Sequence, residues 1–213
     1  MRLIVWGTRL KKTLHASEQE RSDVKEKRVL WKKQQRRLDI TKLVFLDETG
    51  AKTNMTRRYG WGPSNQRVTD LVPHGHWETT TLIHAIDCQG TRASMITNGP
   101  TNSWVFEAYV DWLLAPTLRP GDILVMDNLS SHKSPTVLSK IEATGAQVCF
   151  LPPYSPDLNP IEQIFSKIKS HLRRLAVRTE RKLYNAIAKA IQTVTSEDCL
   201  NCFRNSGYIA QEK

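Results

Sequence analysis

The stretch DILVMD, residues 122–127, sets four apolar side chains in a row and closes on an aspartate. A continuous apolar run of this length reads as a strand covered on both faces, of the kind found at the centre of a sheet. The acid that ends it needs a reason. A carboxylate at the rim of a buried strand is costly to desolvate unless it is paired or binds a cation. The stretch LVFLDE, residues 43–48, repeats the pattern, with Asp47 behind Leu43, Val44, Phe45 and Leu46. In open α/β sheets, ligand sites gather at the carboxyl ends of the strands.

Outward from these two strands the chain alternates. TTLIHAIDCQGTRASMITNG (80–99) reads as a hairpin turning near Gln89 and Gly90. TNSWVFEAYVDWLLAPTL (101–118) has helical periodicity, with Trp104, Val105, Ala108, Trp112 and Leu113 at three- and four-residue steps. A helix is expected from Ser134 to Thr144, then the strand AQVCFLP (146–152), a long helix from Pro160, and helices over Thr179–Val194 and Ser196–Asn205. A hairpin followed by helix, strand, helix, strand, helix is a mixed α/β order.

A third acid follows the last strand. Residues 151–160 hold four prolines, and Glu162 comes just after them. Asn159 suits an N-cap, Pro160 the first helical position, and Glu162 then falls where a capping box places its acid. Ile161, Ile164, Phe165, Ile168 and Leu172 form the core stripe of this helix. Glu162 instead starts a polar face that continues through Ser166, Lys169 and Arg173. A carboxylate at a helix N-terminus is kept ionised by the helix dipole, as a metal ligand must be. Cap and ligand are compatible roles. Asp127 and Asp47 also have ordinary readings, as the cap of the DNLSSH turn and as a strand-end residue facing solvent. Brought together without bases, the three acids would repel one another, and divalent cations are the usual remedy. An all-carboxylate set favours Mg²⁺ or Mn²⁺ over zinc. Two ions held this way activate an attacking oxygen and stabilise a leaving one at a phosphate.

The charge balance points to the same class of substrate. The chain has 213 residues, 39% apolar and 24% charged, enough for a sizeable core. Its 31 Lys and Arg against 21 Asp and Glu give a net charge of +10, which favours a polyanionic partner, nucleic acid before membrane. Residues 1–40 hold 12 basic and 5 acidic side chains. From Ser17 to Leu38 this part reads as a basic helix, opened by Ser17 and Glu20 at capping-box spacing. It lies on something else or links to something absent. The four cysteines make no disulfide framework, and Cys199-x-x-Cys202 reads as helix packing. No stretch approaches a membrane span or a signal peptide, so a cytoplasmic protein is expected.

Four motifs together carry a family likeness: VFLDETGAKTNM (44–55), PHGHWETTT (73–81), GDILVMDNLSSHK (121–133) and LPPYSPDLNPIEQIFSKIK (151–169). They resemble the catalytic part of bacterial insertion-sequence transposases allied to the mariner superfamily, members of the DDE class. The 34 residues between Asp127 and Glu162 match the spacing of this group when its third acid is Glu. The likeness runs from about Leu14 to about Gly207. It implies a ribonuclease H-like fold, a mixed sheet flanked by helices, over residues 41–213, with residues 1–40 a basic helical linker.

By resemblance, Asp47 bridges two Mg²⁺ or Mn²⁺ ions, and Asp127 and Glu162 complete their coordination. Asn128 and His132 match motif positions that support the site, and each equally suits a turn-forming or packing role. An activated water hydrolyses a phosphodiester at the element's end, and the freed 3′-hydroxyl attacks target DNA, typically at TA. The loop MTRRYGWGPSNQRV (55–68) sits where relatives contact the partner subunit of a homodimer, with Arg57, Arg58, Tyr59 and Trp61 placed for that or for DNA. Lys167, Lys169, Arg173 and Arg174 are candidates for phosphate contacts. The helix-turn-helix modules that open full-length relatives have no counterpart here, which implies a separately encoded recognition portion or a truncated copy. The host setting implied is the bacterial nucleoid. Two other readings remain: a non-catalytic DNA-binding or dimerising remnant that regulates a full-length relative, and a host-type nuclease on the same fold.

Overall fold

The computed structural model describes residues 16–57 and 59–209. Helix α1 (Ser22–Gln35) leads into strand β1 (Leu43–Lys52). The hairpin β2 (Thr79–Asp87) and β3 (Gly90–Asn98) follows, then α2 (Ser103–Tyr109), β4 (Ile123–Met126), α3 (Pro135–Glu142) and β5 (Gln147–Phe150). Helices α4 (Ile161–Leu175), α5 (Glu180–Gln192) and α6 (Ser196–Asn205) complete the described chain. The five strands form one sheet in the order β3-β2-β1-β4-β5. β1 pairs antiparallel with β2, and β2 with β3, whereas β1–β4 and β4–β5 are parallel. The hairpin turns between Asp87 and Gly90, as expected.

Side-chain alternation divides the core in two. Leu43, Phe45 and Val125 face α4, α5 and α6, where Ile161, Ile164, Phe165, Ile168 and Leu172 are all buried. Val44, Leu46, Leu124 and Met126 face the other layer, built by α2 with the π turn Val110–Leu114 after it, and by α3. The α4 stripe is the one that the spacing predicts. The α2 stripe is not. Phe106, Tyr109, Val110 and Leu114 turn inward, while Trp104 and Trp112 stay 84% and 76% exposed. This segment carries two apolar stripes at helical spacing, and periodicity alone does not say which one meets the sheet.

The N-terminal part also differs in detail. Residues Ser17–Glu20 form a 3₁₀ turn, Arg21 is extended, and α1 begins at Ser22 with no side-chain cap. Ser17 Oγ donates to Glu18 and not to the helix start, so the expected capping box is absent. A capping box does form at α6, between Thr195 and Asp198. α1 lies on this same domain. Val24 and Trp31 are buried, the Trp31 indole donates to Tyr208 Oη at 3.0 Å, and Gln35 Nε2 donates to the Ser206 carbonyl at 2.8 Å. Cys199 is buried in the α4-side core, where burial pushes its thiol up to about 12, which suits packing and not thiolate chemistry.

A buried ion network staples the hairpin to the start of β4. Arg92 pairs with Asp87 at 3.1 Å and Asp122 at 2.8 Å, and the three side chains are only 10%, 9% and 5% exposed. Arg92 Nη2 also donates to the Thr117 carbonyl. Removing one partner leaves uncompensated buried charge. Arg92→Met is expected to cost about 3–5 kcal/mol, read as a lowered urea midpoint.

His84 is fully buried on β2, with Nδ1 2.8 Å from Ser94 Oγ and Nε2 without a hydrogen-bond partner. Burial holds its imidazole down from the ordinary 6.5 to about 4. The unfolded chain therefore takes up a proton that the folded chain refuses across that window. Stability should fall as pH drops from about 6.5 to about 4, with His84 contributing up to about 3 kcal/mol and nothing further below. Urea titrations of wild type and His84→Gln at stepped pH should show that share of the acid loss vanish in the variant.

Candidate active site

The parallel ladder between β1 and β4 pairs Leu43 with Ile123, Val44 with Leu124 and Phe45 with Val125. Two steps further the same register sets Asp47 opposite Asp127, at the point where β4 has ended at Met126. Both acids share the parity of Phe45 and Val125, which face α4. β1 itself runs on to Lys52 against β2, so Asp47 lies mid-strand and not at a strand end. What ends beside it is the parallel half of its pairing.

Glu162 arrives from the first turn of α4. Asp47, Asp127, Asn128, Asn159 and Glu162 line one pocket of about 520 Å³, closed on one side by the proline loop from Leu151 to Pro156. The three expected acids, drawn from β1, the end of β4 and α4, thus share a single concavity.

Asn159 does not cap α4 in the expected way. The N-cap is Pro160, and no side chain caps the helix. Asn159 Nδ2 instead donates to Asp47 Oδ2 at 2.8 Å, and its Oδ1 is buried without a hydrogen-bond partner. The backbone N–H of Glu48 donates to Asp47 Oδ1 at 2.7 Å. Both oxygens of Asp47 are therefore held. A cap would use Oδ1 and the Asp47 bond uses Nδ2, so the contact with Asp47 fixes the direction of the side chain and leaves Oδ1 off the first-turn amides. The sequence signal for this residue was an asparagine next to the acid motif, which local helix rules assign to the cap.

Electrostatically the pocket is short of positive charge. Burial lifts the Asp47 carboxyl to about 7; the Glu48 amide opposes this, and the charges of Glu162 and Asp127 add to it. Burial likewise raises Glu162, with Lys169 pulling the other way. Lys169, half-buried two turns along the same face, is lowered by burial, while Glu162 and Asp47 raise it. His132 is fully buried against Phe106, ring centroids 4.3 Å apart. Its Nδ1 lies 2.8 Å from Asp127 Oδ1 and its Nε2 3.8 Å from Glu48 Oε1. With the ring protonated, both contacts are ion pairs. Burial disfavours the imidazolium, but Asp127 and Glu48 outweigh it and raise His132 to about 9. Glu48 was not singled out by its sequence, since an acid next to an acid on a strand faces the opposite side.

Hard carboxylate and amide oxygens, raised acids and an orphaned buried amide oxygen fit a divalent cation of the Mg²⁺ or Mn²⁺ kind. Among the described residues, no three His, Cys, Asp or Glu side chains crowd closely enough to enclose one ion. The acids are set around the pocket and not upon a single point.

The basic candidates divide. Arg57, Tyr59, Lys167, His171, Arg173 and Arg174 line a cleft of about 720 Å³ along the later turns of α4. Lys167 is engaged there by Asp198 and by the Thr193 carbonyl at 3.0 Å. Arg174 Nη2 lies 3.0 Å from His171 Nδ1. Arg173 also borders a second hollow, with Lys169, Lys52 and Thr56. Arg58 lies outside the described residues. The segment from Tyr59 to Glu78 is exposed throughout, Trp61 included.

A family model described as DDE superfamily endonuclease matches residues 42–184. Among solved structures, a pre-cleavage Mos1 transpososome is similar at TM-score 0.75 and 18% identity, over 94% of this chain and 64% of that one. The Mos1 mariner paired end complex with Mn gives 0.73 and 18%, over 94% and 64%. The catalytic domain of Mos1 mariner transposase gives 0.62 and 16%, over 92% of each chain. Human histone-lysine N-methyltransferase SETMAR is 29% identical over 85 residues, 39% of this chain and 12% of that protein. The chain thus spans less than two thirds of the Mos1 chain in the transpososome and a small part of SETMAR. The likeness to the solved structures shows the fold, a ribonuclease H-like mixed sheet flanked by helices. With a matched segment that begins one residue before β1 and ends inside α5, this chain belongs to the DDE superfamily endonuclease family.

Proposed function

We propose that this chain is the catalytic part of a DNA transposase, which hydrolyses a phosphodiester at a transposon end and joins the freed 3′-hydroxyl to target DNA, at TA sites. The observation that carries this reading is the convergence of Asp47, Asp127 and Glu162 on one pocket from three separate elements. These three side chains would hold two Mg²⁺ or Mn²⁺ ions. When bound, the ions supply charge stabilisation at the phosphate and make a nucleophilic oxygen available at neutral pH.

The chain's own residues do the positioning. Asn159 and the Glu48 amide fix both oxygens of Asp47, so its orientation is set in advance. His132, buried between Asp127 and Glu48, restrains Asp127 from behind. The start of α4 holds Glu162 on the polar side of a helix whose opposite stripe is locked into the core. Asn128, on the pocket wall beside Asp127, supports the site.

Double-stranded DNA is the proposed partner. Arg57, Arg173 and Arg174 border a cleft further along α4 that suits a phosphate backbone. The exposed arm between β1 and β2, with Tyr59 and Trp61, supports contact with a second copy in a homodimer. A helix-turn-helix portion would supply recognition of the ends. No helix among the described residues is long and apolar enough to cross a membrane, and the setting proposed is the bacterial nucleoid.

Purified chain joined to a matching recognition domain should nick duplex DNA carrying the element's ends when Mg²⁺ or Mn²⁺ is added. Asp127→Ala should lower that product by more than about 100-fold, beyond what loss of a residue supporting a metal ligand costs. Cleavage that persists in the variant sinks the assignment, and DNA retarded in a gel without any cleavage favours a non-catalytic remnant. Arg173→Ala and Arg174→Ala should each weaken DNA binding across sequences and reduce the slope of log K against log salt by about 0.9.

A further inference from the structure

The loop that carries Asn159 and delivers Glu162 is held on its outer side by the segment before β1. Arg28, on α1, donates from Nη1 to Ser155 Oγ at 2.7 Å and to Asp157 Oδ1 at 2.9 Å, and from Nη2 to Asp157 Oδ2 at 2.7 Å. Its side chain is only 13% exposed. Gln19, in the 3₁₀ turn before α1, donates to the Tyr154 carbonyl at 2.6 Å. Trp31 donates to Tyr208 Oη, which in turn donates to the Leu158 carbonyl at 2.8 Å. Residues 154, 155, 157 and 158 are thus each tied to α1 or its approach, directly or through one hydroxyl.

The tied stretch needs holding. Tyr154 adopts φ +56, in the left-handed region that a bulky residue enters only when its surroundings impose it. Immediately after the tied stretch comes Asn159, whose amide fixes Asp47, and one helical turn on comes Glu162. A fork of two parallel N–H···O bonds from a guanidinium sets direction as well as distance, which a single ammonium bond does not.

We propose that α1 is a brace for the acid site, with Arg28 as a positioning residue that acts through Asp157 and Ser155 on Asn159 and Glu162. The basic segment before β1 is then a working part of the catalytic unit and not a linker to it. This inference rests on the reading of Asp47, Asp127 and Glu162 as a divalent-metal site. The site's rigidity then lies in a helix that contributes no ligand.

The test is Mn²⁺ affinity of the full chain, read from the electron paramagnetic resonance signal of free Mn²⁺ well below the melting temperature. Circular dichroism serves as the check on folding. Arg28→Met and Asp157→Asn should each weaken Mn²⁺ binding by about 10-fold or more, the range expected when support for a metal ligand is lost. The exchanged pair Arg28→Asp with Asp157→Arg should recover part of it, which a general loss of stability would not. Asp157→Asn is near-isosteric and keeps the Arg28–Ser155 bond, so it decides the matter if Arg28→Met does not fold. Wild-type affinity in folded Asp157→Asn overturns the brace alone. A wild-type chain that binds no Mn²⁺ overturns the metal-site reading beneath it, and the brace with it.

Discussion

The parallel ladder between β1 and β4 is short, three residue pairs from Leu43–Ile123 to Phe45–Val125, and most of the architecture follows from its register. It aligns two apolar runs so that alternate side chains feed the two separate cores. It also brings Asp47 and Asp127 side by side on the α4 face. A slip of one residue in either strand would turn that strand's acid to the opposite face and part it from the other. The many buried side chains above and below the ladder make such a slip prohibitive. Acids that repel one another are therefore held together by apolar packing elsewhere.

What this packing forces, the pocket must then compensate. Asp47 is lifted by burial and by its acidic neighbours, and the protein answers with a backbone amide, the Asn159 carboxamide and a buried His132 behind Asp127. Of these only His132 brings positive charge. The loop with four prolines in ten residues is stiff in itself, but its position comes from contacts with a helix more than a hundred residues earlier in the chain.

Legibility followed the range of the physics. Where a local rule has one solution, the sequence reading holds: the hairpin at Gln89 and Gly90, the α4 stripe and the packed Cys199 are all in place. Where two solutions of similar local quality exist, it does not. The segment after Asn102 offers two helical stripes, and the sheet accepts Phe106 and Tyr109 and leaves Trp104 and Trp112 outside. Asn159 satisfies the rule for a helix cap, but its side chain turns to a carboxylate on a strand more than a hundred residues away and caps nothing.

By itself the sequence determined the strand and helix order, the three acids and the basic balance, because apolar periodicity and charge are properties of neighbouring residues. Only the tertiary structure decided that the acids share a pocket, that Asn159 and Glu48 serve Asp47, that Lys167 is engaged by Asp198, and that α1 grips the loop before α4. Each of these is a contact between segments distant in the chain. Their geometry is fixed by how two cores close around one sheet, which no local rule contains.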